Sequence, residues 1–82
     1  MIEQTVAIGS SFDTRTVAIF VQTASKFNSS ILIKVDGKVA NAKSIMGVIS
    51  LSITEEQKVQ LIVDGNDEQQ AVMALGQFFY TP

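Results

Sequence analysis

The dipeptide Asp36-Gly37 restricts what this chain can fold into more than any other two residues. On one side of it Ile31, Ile33 and Val35 alternate with Lys34, and on the other lies the short run Lys38 to Asn41. Alternation at period two is the pattern of a strand with one buried face. Asp-Gly between two such runs is a strong two-residue hairpin signal, because the tight turn needs a positive φ that glycine adopts freely. The spacing therefore predicts two adjacent antiparallel strands, and the remaining elements must fit a sheet that contains them.

Before the hairpin, Ile2, Val6 and Ile8 alternate with Thr5 and Ala7, a first strand that Gly9, Ser10 and Ser11 break. From Asp13 or Thr14, Val17, Phe20, Val21, Ala24 and Phe27 recur at three- and four-residue spacing. This predicts a helix with one apolar stripe, ended by Asn28-Ser29-Ser30. After the hairpin, Ser44 to Leu51 reads as two helical turns carrying Ile45, Met46, Val48, Ile49 and Leu51. Gly47 weakens its interior by about 1 kcal/mol relative to alanine, so this helix depends on packing. Val59, Leu61 and Val63 alternate as a fourth strand, and Asp64-Gly65-Asn66 turns the chain. A last helix begins at Asp67-Glu68, with Ala71, Val72, Leu75, Phe78 and Phe79 on one side; acidic residues suit its first turn. The order β-α-β-β-α-β-α predicts an α+β fold, one antiparallel sheet with helices on a single face. The phenylalanines and methionines fall on periodic positions and read as core, and the charged residues read as the solvated face.

At 82 residues the chain reads as a single domain, 1–82. Six basic and eight acidic residues are spread along it for a net charge of −2, whereas nucleic-acid binders concentrate lysine and arginine on one face. Direct nucleic-acid binding is not expected. No apolar run nears the roughly 18 residues of a membrane span, so no membrane association is expected. The N-terminus, MIEQTV, lacks the pattern of a secretory signal, and the lack of cysteine fits a cytoplasmic protein.

With no histidine and no cysteine, neither the common nucleophile pairs nor the common zinc sites can be built, and no cofactor is expected. Glu55 and Glu56 are adjacent and diverge on any regular element. Asp64, Asp67 and Glu68 lack the spacing of a calcium loop. An enzyme with its own active site is not expected. What remains is Ser44 at the mouth of the second helix, together with the loop Ser10 to Thr16. A serine in that place caps a helix, and it can also carry a phosphate.

The runs KVDGKVANAKSIMGVISLSI and LIVDGNDEQQAVMAL resemble the HPr family, the small phosphocarriers of the bacterial sugar phosphotransferase system. They are most similar to the regulatory branch typified by catabolite-repression HPr of Bacillus-type bacteria. The resemblance extends from Thr5 to Phe79. It implies an open-faced β-sandwich, a four-stranded antiparallel sheet covered on one face by three helices.

In the family a histidine, followed by one residue and then Arg and Pro, accepts a phosphoryl group from enzyme I and passes it to sugar-transporter components. Here the matching run is Phe12-Asp13-Thr14-Arg15-Thr16: Asp13 stands at the histidine position, Arg15 matches, and Thr16 replaces the proline. Normal phosphohistidine transfer is then lost. Three readings of Asp13 compete: an N-cap, a fixed charge that mimics a phosphohistidine, or a new acceptor forming an aspartyl phosphate. The hydroxyls of Thr14 and Thr16 are poor nucleophiles without a base. The resemblance makes Ser44 the regulatory serine phosphorylated by HPr kinase/phosphorylase. The product then binds a LacI-type catabolite control repressor as corepressor, with Ile45, Met46 and Ile49 as an apolar docking patch. Arg15 would lie near Ser44 and touch the repressor. A phosphocarrier with an altered acceptor, and a module competing with true HPr for enzyme I or the transporters, are the alternatives. A monomer is expected, and exchange of the first strand between two copies is open to a chain with a spare sheet edge.

Overall fold

The computed structural model describes residues 1–7, 13–51 and 57–79. Its elements run β1 (Ile2–Ala7), α1 (Thr14–Ser25), β2 (Ser30–Val35), β3 (Lys38–Asn41), α2 (Ile45–Ser50), β4 (Lys58–Asp64) and α3 (Glu68–Gly76), the predicted order. Ile8, Glu55 and Glu56, and residues 10–12 of the first candidate loop, lie outside the described residues.

Asp36 and Gly37 both take positive φ, 51° and 80°, and Val35 pairs with Lys38 across a two-residue turn, the hairpin that the dipeptide predicts. The four strands form one antiparallel sheet in the order β1-β4-β2-β3. Val6, Ile31, Ile33, Val35, Val59, Leu61 and Val63 point to one face and are buried. They share a single core with Val17, Phe20, Val21 and Ala24 of α1, Val48 of α2, Leu51, and Ala71 and Leu75 of α3. On the opposite face Glu3, Thr5, Lys34, Lys58 and Asp64 are exposed, which leaves the sheet open on that side.

Phe20 stands at the centre of the helical layer. Its ring meets Phe78 and Phe79 edge-on, with centroids 5.5 and 5.6 Å away. Perpendicular packing sets the positive edge of one ring against the negative face of another.

Several expectations need correction. The methionines are not core: Met1, Met46 and Met73 are each more than 70% exposed. Met46 and Met73 lie beside the buried stripes of their helices, and an unbranched apolar residue is tolerated there. α1 stops at Ser25, ahead of the Asn28-Ser29-Ser30 cluster, and Phe27 packs against the core from the connecting turn. Phe78 and Phe79 likewise lie beyond the end of α3. Ala7, expected opposite Val6 on the solvated side, is buried as well. At α3, Asp67 occupies the N-cap position but makes no cap bond; its carboxylate is turned to the α1–β2 connection instead.

Candidate functional site

Two helix starts carry the candidate residues. At the first, Asp13 has extended backbone torsions, and its Oδ1 accepts the N–H of Thr16 at 2.9 Å. Its carbonyl accepts the first intrahelical bond, from Val17 N–H. Asp13 is thus a working N-cap. The Thr16 N–H holds its carboxyl below the ordinary value of 3.8, and the Arg15 charge adds to the effect. Thr14 and Arg15 are exposed and Thr16 is half-buried.

At the second, Ser44 is half-buried with φ −114° and ψ 115°, and its Oγ accepts the N–H of Gly47 at 3.1 Å. A side-chain carbon at Gly47 would come within 3.3 Å of that Oγ and 3.5 Å of the Ala40 Cβ. Glycine therefore keeps room around the hydroxyl, while its N–H supplies the cap. Ser44 Oγ–H itself finds no acceptor among the described residues, and no carboxylate or amine there reaches it. Among the described residues the hydroxyl has no base. A catalyst that brings its own base would supply what these residues do not.

The hydrophobic residues of α2 divide by face. Val48 is buried, as is Leu51 just past the helix, and these two fix α2 to the core. Ile45, Met46 and Ile49 are 44%, 77% and 42% exposed, three apolar side chains beside the serine that remain open to solvent. A helix of six residues spends half its length on solvent-facing apolar groups.

Helices α1 and α2 pack against each other, which brings the two helix starts onto the same helical layer. Among the described residues no hydrogen bond or ion pair links Arg15 to Ser44. Two residues escaped the sequence reading. Ile19 of α1 is 49% exposed, one apolar residue off the Val17-Phe20-Val21-Ala24 stripe, and that offset is the signal that could have found it. Lys43, next to Ser44, is half-buried and donates from Nζ to the carbonyl of Phe27 at 2.8 Å; no pattern in sequence announces such a long-range bond.

Residues 2–81 match the family model described as "PTS HPr component phosphorylation site". The HPr-like protein Crh of Halalkalibacterium halodurans is 49% identical over 70 residues, 85% of this chain and 83% of the relative. Among solved structures, the phosphocarrier protein HPr from Bacillus anthracis superposes with a TM-score of 0.92 at 34% identity, over 96% of both chains. Crh from Bacillus subtilis, a catabolite repression protein crystallised as a swapped-domain dimer, superposes with a TM-score of 0.76 at 40% identity. That match covers 95% of this chain and 92% of the other.

Proposed function

The chain belongs to the HPr family, and on that premise we propose that it is a cytoplasmic regulatory protein of the Crh kind whose switch is Ser44. HPr kinase/phosphorylase transfers the γ-phosphoryl group of ATP to Ser44 Oγ; the hydroxyl proton goes to the kinase's own base, and ADP leaves. The phosphoserine form then binds a LacI-type catabolite control repressor as corepressor.

The observation that carries this reading is the surface at the start of α2. A hydroxyl whose proton meets no acceptor among the described residues lies beside the exposed side chains of Ile45, Met46 and Ile49. A phosphate there adds about −1.5 to −2 of charge next to that apolar patch, a combination that a partner can read as one epitope. The relatives named Crh support a regulatory role, and the lack of any histidine argues against a phosphocarrier of the usual kind. The family works as carriers or regulators, and catalysis in this scheme belongs to the kinase.

Intact-mass analysis after incubation with ATP and HPr kinase/phosphorylase tests the proposal on wild type and Ser44→Ala. One added phosphate on wild type and none on the variant is expected; no phosphate on wild type overturns it. A second reading centres on Asp13, as a charge mimic through which the chain competes with true HPr for enzyme I or sugar-transporter components. Its carboxylate is ionised more readily than usual, which favours a fixed charge there. The same low proton affinity, with one oxygen held by Thr16, disfavours Asp13 as a phosphoryl acceptor. Labelling at Asp13 by enzyme I and phosphoenolpyruvate would reverse that ranking.

A further inference from the structure

Lys43 immediately precedes Ser44, and by position alone it is a cation available to a phosphate or to an acidic partner. Its ammonium is already engaged. Nζ donates to the carbonyl oxygen of Phe27 at 2.8 Å, a partly buried bond that crosses from the β3–α2 connection to the turn after α1. Phe27 lies two residues past the end of α1, so this bond reaches the turn that follows the helix.

The rest of the connection is held by its own backbone. Ala42, fully buried, donates its N–H to Ile31 O at 2.9 Å. Lys43 N–H donates to Asn41 Oδ1 at 2.9 Å, and Ser44 N–H donates to Asn41 O at 3.0 Å. The first of these ties the turn to β2, and the next two close it on itself. The Lys43 Nζ bond ties it to the turn after α1. Ser44 follows directly, with torsions that aim its Oγ at Gly47 N–H.

We propose that Lys43 is a positioning residue for the Ser44 site. Its ammonium buckles the 41–44 turn to the turn that follows α1, fixes the direction of the Ser44 hydroxyl, and withdraws the lysine charge from the surface that a partner meets. The functional half of this proposal rests on the reading of Ser44 as a phosphoacceptor. The buckle itself does not.

The test compares wild type, Lys43→Met, which keeps the aliphatic stem without a donor, and Lys43→Arg, which keeps a charged donor. Amide hydrogen exchange followed by NMR reads the buckle. In Lys43→Met the Ser44 amide exchanges on the order of tenfold faster, the size expected from one charge-assisted bond, while Val59 and Leu61 in the sheet keep their wild-type protection. Lys43→Arg restores most of the protection. Phosphorylation by HPr kinase/phosphorylase and ATP then falls several-fold in kcat for Lys43→Met and recovers in Lys43→Arg.

Unchanged Ser44 exchange in Lys43→Met overturns the proposal. So does faster exchange with a wild-type phosphorylation rate, which would make the bond structural only. A rise in KM alone, with exchange unaltered, assigns Lys43 to direct contact with the kinase and also overturns it. If wild type takes no phosphate, the reading of Ser44 fails, and the exchange experiment still decides whether Lys43 holds the turn.

Discussion

Asp67 accepts three donors from a distant part of the chain: the N–H groups of Asn28 and Ser29 at 2.9 and 3.0 Å, and the Ser29 hydroxyl. Ser29 is the buried polar residue at the centre of this contact, and Gly65 lies against it. A side-chain carbon at Gly65 would come within 2.7 Å of the Ser29 Cα, a backbone atom that cannot swing away. Gly65→Ala is therefore expected to destabilise the fold by about 1–3 kcal/mol in chemical denaturation. Gly76, whose added carbon would meet nothing within 4 Å, is the matched control, and Gly76→Ala should not destabilise. An equal loss in both variants would count against the contact as the cause. At Ser44 the residue-scale effect is smaller. Ser44→Ala removes one cap bond and should cost about 1 kcal/mol, with the folded spectrum retained. That retention is what makes the variant usable as the phosphorylation control.

At the scale of elements, β1 carries an inconsistency that its flanking residues hide. Ile2 and Val6 are inward-facing, and so by parity is Gln4, which lies opposite Leu61 of β4. Its Oε1 is buried with no hydrogen-bond partner. An orphaned polar atom costs about 1–3 kcal/mol, so Gln4→Met, similar in length and without the amide, is expected to stabilise by roughly 1 kcal/mol. A lower denaturation midpoint for Gln4→Met would refute this. The elements were legible in the sequence wherever the pattern was local. Alternation in β2 and β4, the Asp36-Gly37 turn and the stripe of α1 each depend on neighbours within a few residues. Ser44 and Asp13 as caps were legible for the same reason. What could not be read depends on pairs far apart in the chain: the Asp67 carboxylate on Ser29, the Lys43 ammonium on Phe27, and the exposure of Met46 rather than its burial. A periodic pattern says that a helix has an apolar side. Which residues at the margin of that side stay outside depends on the shape of what it packs against.

For the molecule as a whole, three carboxylates hold helix starts or join distant segments, and each is held below its ordinary value. Thr16 N–H lowers Asp13, the Ser29 hydroxyl with Asn28 N–H lowers Asp67, and Gly65 N–H with the N-terminal ammonium lowers Glu68. A group with a depressed folded pKa binds fewer protons in the native state than in the unfolded one, so stability rises with pH through its titration range. The contribution is complete above the ordinary values of 3.8 and 4.5 and is lost as pH falls through the lower folded ones. The melting temperature should therefore be flat from neutral pH into mild acid and then fall. Asp67→Asn should lower it at neutral pH and make the acid fall shallower; an acid limb as steep as in wild type would exclude Asp67 as a contributor.

The sheet order β1-β4-β2-β3 also has a consequence for the birth of the molecule. Of the four strands among the described residues β1 is made first, yet its partner there, β4, is made last. The hairpin of β2 and β3 can close early, since its two halves are adjacent in the chain, whereas β1 must wait until β4 has been made. Until then the nascent chain holds a solitary N-terminal strand and a hairpin without its central neighbour. The arrival of β4 joins both at once, so the sheet closes only when the last of its four strands has been made.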